Sequence, residues 1–196
     1  MKIIGITGPS GSGKSLFSRR LSEGGICVID ADEVYHDLLV PPSDCLDALR
    51  KAFGDSVFES DGTLNRKALA DIVFHDKKRL ELLNSTVLGF VLDKIRAMIS
   101  ELDSSGHTLV AVDAPTLIES GFHKECDTVI SVLCPAEMRI ERIMKRDGLE
   151  LQAARARTLS QKPDEFYREH SDWVIINDGN VKELENSILK LIENIK

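Results

Sequence analysis

The residues Gly8-Pro9-Ser10-Gly11-Ser12-Gly13-Lys14-Ser15 follow the spacing G-x-x-x-x-G-K-[ST]. Glycines so spaced let successive backbone N–H groups turn inward on a chain of phosphates, and a helix opening behind the loop adds its positive N-terminal end. In such a loop the Lys14 ammonium is placed to bridge the β- and γ-phosphates of ATP, and the Ser15 hydroxyl to hold Mg2+. A glycine-rich turn with a chance lysine is the competing reading. The apolar run before the loop and the helical pattern after it argue against that alternative.

Phosphoryl transfer to an alcohol also needs a group that accepts the proton of the attacking hydroxyl. Asp30-Ala31-Asp32 directly follows an apolar run, and ligands of open parallel sheets bind beyond the carboxyl ends of the strands. Asp32 is the candidate base. Either acid could instead cap a helix expected to start at Glu33, a role that suits Asp30 better than Asp32. Leu109-Val110-Ala111-Val112-Asp113 is a second apolar run ending in an acid. Asp113 is thereby a candidate for organising Mg2+, with a turn-forming role as the alternative. Glu119 lies on the same loop, beyond Pro115.

Arginines crowd the segment 139–157, at Arg139, Arg142, Arg146, Arg155 and Arg157. Arg142 and Arg146 stand one helical turn apart on one face, where two guanidinium groups could close over a polyphosphate. Arg157 follows about three turns later if the helix resumes after Gly148. A solvated basic face is the bland alternative; taken together the cluster suggests a mobile lid.

These groups must be held by something. Five short apolar runs, 3–7, 27–30, 109–113, 129–134 and 173–176, alternate with helical stretches, the pattern of a parallel sheet covered on both faces. The interval 33–106 has no convincing strand. Leu46, Leu49, Ala52 and Phe53 keep a helical period there, as do Leu80, Leu83, Val87, Val91, Ile95 and Ile99, so a helical substrate cap is expected. A last amphipathic helix is expected over 181–195, with Leu184, Ile188, Leu191, Ile192 and Ile195 on one face. Trp173, opening the last strand, is expected in the core.

With 196 residues, 42% of them hydrophobic, the chain can build one sizeable core. A net charge of −7 argues against binding nucleic acid or an anionic membrane surface. The N-terminus reaches glycine too soon for the apolar core of a signal peptide, and no later run approaches a bilayer-spanning length. The expectation is a soluble, cytoplasmic protein, a monomer, that acts on small molecules. Cys27, Cys45, Cys126 and Cys134 are too scattered for a zinc knuckle or redox pair and read as structural thiols. The five histidines, His36, His75, His107, His123 and His170, show no zinc-binding spacing. Met98, Met138 and Met144 read as packing residues.

In order along nearly the whole chain, Gly8 to Ser15, Asp30-Ala31-Asp32, Phe53-Gly54, Asp61 to Arg66, Pro115 to Glu119, Arg142, Arg146, Arg157, Gln161 and Trp173 to Asn177 with Gly179 resemble the dephospho-CoA kinase family. That resemblance implies an α/β, three-layer P-loop fold: a five-stranded parallel sheet, a helical substrate-binding (CoA) insertion and a helical lid. It implies a single kinase unit over 1–196, with core segments 1–32, 107–138 and 172–196, the insertion at 33–106 and the lid at 139–171. The implied reaction transfers the γ-phosphate of ATP, with Mg2+, to the ribose 3′-hydroxyl of dephospho-CoA.

By the same resemblance Gly11, Ser12, Gly13, Lys14, Ser15 and Leu16 hold the ATP phosphates, and Asp32 is the base. Arg142, in the catalytic set, and Arg146, on the nucleotide, belong to the lid, and Asn177 lies near the adenine. Three stretches depart from the family pattern. Ser85-Thr86 replaces a His-Pro pair, Arg139 replaces a glutamine, and Pro115-Thr116-Leu117-Ile118-Glu119 replaces Pro-Leu-Leu-Phe-Glu. A diverged kinase for another nucleoside or small alcohol, or a non-catalytic nucleotide-binding homologue, stays open at this level.

Overall fold

Lys2–Thr7 forms β1, whose Ile4 and Ile6 are buried, and the loop after it leads into α1 (Lys14–Glu23). The computed structural model describes residues 1–73, 76–179, 182, 184, 186–188, 190 and 191. After α1 come β2 (Cys27–Asp30), α2 (Ala31–Leu38), α3 (Asp44–Phe53), α4 (Arg66–Val73) and α5 (Lys77–Ser104). Then follow β3 (Leu109–Asp113), β4 (Thr128–Leu133), α6 (Ala136–Asp147), α7 (Leu151–Leu159), α8 (Asp164–Glu169) and β5 (Trp173–Ile176). The sheet is five-stranded, in the order β2-β3-β1-β4-β5. Pairing is parallel between β1 and β3, β1 and β4, and β4 and β5.

The chain divides into two compact units, one made of Met1–Ile29 with Leu102–Lys196, the other of Asp30–Glu101. In the first, Ile4, Ile6, Ala111, Ile130, Val132 and Ile175 of the strands pack with Phe17 and Leu21 of α1. Leu184, Ile188 and Leu191 join the same core, and the described residues of 182–191 are helical. Ile192 and Ile195, expected on that helix face, lie outside the described residues, as does His75.

In the second unit Cys45, Leu46, Leu49 and Phe53 of α3 form a separate core with Leu69 and Val73 of α4, and Leu83 and Val87 of α5 pack against it. This is the stripe that helical spacing predicts, except that Leu80 is exposed: the stripe begins at Leu83. The described part of the interval 33–106 is helical apart from turns and one isolated bridge between Phe58 and Leu64.

Trp173 corrects an expectation. It is 42% exposed, because β5 is an edge strand and only Ile175 of its four residues is buried. All four cysteines carry free thiols. Among the described residues no helix is long and apolar enough to cross a membrane.

Candidate active site

Register brings the first two acting groups together. Ile6 of β1 pairs with Asp113 of β3, so the acid ending β3 stands beside the strand end from which the glycine loop departs. Helix α1 starts at Lys14, and Lys14 forms an ion pair with the Asp113 carboxylate. Ser18, one turn further along α1, donates to the other Asp113 oxygen at 2.5 Å. Asp113 is 1% exposed, so both partners are needed to keep its charge in the interior. Ser18 escaped the sequence reading, although its spacing of four from Lys14 puts both side chains on one helix face.

The loop closes on itself before the helix begins. The Ser12 amide donates to the Pro9 carbonyl at 3.1 Å, and the Gly13 carbonyl accepts from Leu16 at 3.0 Å and Phe17 at 3.1 Å. Lys14 and Ser15 precede any intrahelical acceptor, so their amides are the ones a helix start leaves for an anion. Gly13 has φ +95°, and a Cβ there would come 2.0 Å from Asn177 Nδ2. A side chain there would be strained by that φ and would have to push Asn177 aside. The Ser12 side chain is fully buried, and its Oγ has no hydrogen-bond partner.

Arg142 and Asn177 reach the loop from behind. Arg142 Nη1 donates to the Gly11 carbonyl at 3.1 Å, the Ser12 carbonyl at 3.3 Å and Cys134 Sγ at 3.2 Å. Its Nη2 reaches Asn177 Oδ1 at 3.4 Å, while Asn177 Nδ2 donates to the Ser12 carbonyl at 2.8 Å. Burial pushes the Cys134 thiol up, with Arg142 pulling the other way. A cation and an amide thus hold the Gly11 and Ser12 carbonyls of the loop.

Arg146 Nη2 donates to Ser10 Oγ at 3.2 Å, and Arg146 also makes two bonds to Asp147, at 2.7 and 2.8 Å. The Arg146 hydrogen bonds hold the Asp147 carboxyl below its usual range. Arg157 meets the same carboxylate at 2.7 Å, across the break at Gly148 where α6 ends in a left-handed cap. Arg157 is therefore tied to Asp147, an acid the sequence reading did not single out. Glu119 is exposed.

In the second unit Asp30 is the N-cap of α2, accepting from the amides of Asp32 at 2.8 Å and Glu33 at 3.3 Å. The helix starts at Ala31 rather than Glu33. The capping role falls to Asp30, and Asp32 sits exposed in the first turn.

Among the described residues no group of three or more His, Cys, Asp or Glu side chains could hold a metal by itself. One hydroxyl at Ser15 and one carboxylate at Asp113 suit Mg2+, which is usually held by one or two side chains together with substrate phosphates and water.

The family model for dephospho-CoA kinase matches residues 2–183. The chain belongs to the dephospho-CoA kinase family. A dephospho-CoA kinase from Carboxydothermus hydrogenoformans is 36% identical over 196 residues, covering 100% of this chain and 95% of its own. Among solved structures, a Thermus thermophilus protein superposes with TM-score 0.81 at 32% identity, covering 100% of this chain and 98% of its own. Dephospho-CoA kinase from Campylobacter jejuni superposes with TM-score 0.74 at 28% identity, with the same coverage of 100% and 98%. Membership makes the chain a kinase, with ATP as phosphate donor and a small molecule as acceptor.

Proposed function

We propose that this chain phosphorylates the ribose 3′-hydroxyl of dephospho-CoA with ATP, giving coenzyme A and ADP. The observation that carries the reading is the family match over residues 2–183, in a chain whose phosphate loop is backed by a paired Lys14 and Asp113.

In this reading the loop from Gly11 to Leu16 holds the phosphates, with the Lys14 and Ser15 amides that the helix start leaves over donating to them. Lys14 turns from Asp113 to the β- and γ-phosphates, where a fixed cation stabilises the charge of the transferring group. Ser15 and Asp113 would hold Mg2+, which would supply positive charge against the charge of the phosphates. Arg142 and Arg146 add positive charge beside the loop, and Asn177 lies toward the adenine. Asp32, exposed in the first turn after β2, accepts the proton of the attacking hydroxyl. The helical insertion, 33–106, receives the CoA moiety, 139–171 closes as a lid, and the protein works as a cytoplasmic monomer.

A coupled ADP-release assay over a panel of alcohols and nucleosides tests the reading, with mass spectrometry of the product. Dephospho-CoA should be the preferred acceptor and gain one phosphoryl group. A faster reaction with another nucleoside would transfer the assignment to that acceptor. ATP binding without turnover on any acceptor would make the chain a nucleotide-binding homologue.

A further inference from the structure

Ser10 is held at both of its backbone groups by side chains from outside the loop. Its amide donates to Gln161 Oε1 at 3.2 Å, and its carbonyl accepts from Arg139 Nε at 3.2 Å. The two anchors are themselves joined, Arg139 Nη2 donating to Gln161 Oε1 at 2.6 Å. Arg139 is only 5% exposed, and Asp164 stands 3.6 Å from its Nη1. A second observation places the loop against the same point of α6: a Cβ on Gly11, whose φ is +80°, would come 2.8 Å from the Arg139 carbonyl oxygen.

We propose that Arg139 and Gln161 act as positioning residues of the phosphate loop, fixing Ser10 so that the loop is set for the phosphates of ATP before ATP arrives. A buried guanidinium is costly unless its donors are used, and here the fork reaches a loop carbonyl and the Gln161 acceptor together. Lysine, with a single point of charge, cannot span both. Gln161 follows α7 and Asp164 opens α8, so the link between these helices and the loop conformation are set by one network. A loop fixed in advance loses less freedom on binding, so the network acts first on nucleotide affinity.

The inference rests on the loop being the ATP site, and titration of ATP itself reads it whether or not dephospho-CoA is the acceptor. The test compares Arg139→Met, Gln161→Met and the double variant with the parent, by calorimetric Kd for ATP, by steady-state kcat and KM, and by thermal unfolding. Each single change should weaken ATP binding about tenfold, as loss of a hydrogen bond to a charged group does. KM for ATP should rise by more than kcat falls. The double variant should lose less than the sum of the two single losses, because either change already breaks the bond the two residues share. Kd values within about twofold of the parent in folded variants, or fully additive losses, would overturn the proposal. If Arg139→Met does not fold, the half-buried Gln161→Met decides the matter by its ATP Kd alone. A parent that binds ATP but leaves dephospho-CoA untouched would fail the acceptor assignment and leave this result readable.

Discussion

Lys14 and Asp113, separated by 99 residues in sequence, form a partly buried ion pair at the meeting of β1, β3 and α1. Asp113 keeps a second partner in Ser18. Lys14 is thus held by the acid proposed above for the metal, and each loses its ion-pair partner if the other is removed.

Lys14→Ala should lower turnover by about 100-fold or more, as expected when a fixed donor to developing charge is lost. It should also destabilise the fold by about 3–5 kcal/mol, since a buried carboxylate is left without its cation. Steady-state kinetics and chemical denaturation read the two effects separately. Turnover within about tenfold of the parent would remove Lys14 from the transition state.

The two acids after β2 should separate cleanly. Asp30→Ala removes the cap of α2 and should cost about 1 kcal/mol of stability while the chemistry survives. Asp32→Asn leaves the cap intact and should cut kcat steeply with KM for ATP nearly constant, as loss of a proton acceptor does. A collapse of ATP affinity at normal kcat would refute the base role of Asp32.

Arg142→Lys conserves charge but cannot reproduce a fork that serves the Gly11 and Ser12 carbonyls and Asn177 at once. A fall in kcat/KM of about tenfold or more is expected, against little change for an exposed salt-bridge arginine. Unchanged kinetic constants would leave Arg142 a packing residue of the loop and remove it from the catalytic set.

Stability should decline above about pH 9 through two groups, the half-buried Cys126 and the buried Tyr167. Burial pushes the Cys126 thiol up from 9.0 to about 12, and burial with the nearby Glu119 charge pushes Tyr167 up from 10.0 to about 12. Both hold their protons more tightly folded than unfolded. Their contribution is therefore complete below the unfolded values and is lost as pH climbs toward 12. Unfolding midpoints measured from pH 7 to 11 check this, and Cys126→Ala should flatten the decline; a midpoint that rises with pH would contradict it.

Local spacing in the sequence determined a great deal of this protein. The glycine-lysine loop, the five apolar strands, the Asp30 cap as one of two readings, the arginine-rich segment broken at Gly148 and the α3 stripe of Leu46, Leu49 and Phe53 are properties of neighbours within a few residues. Such neighbours set backbone geometry and helix faces directly. Tertiary structure decided what lies beyond that reach. Nothing local says that Trp173 sits on an edge strand, that Arg157 is taken by Asp147, or that Arg139, one charge among several on α6, is the buried one that grips Ser10 across 129 residues. Parallel strands join through long crossovers, so the partners of Asp113, Asn177 and Arg139 depend on sheet order and register, which no short stretch of sequence encodes.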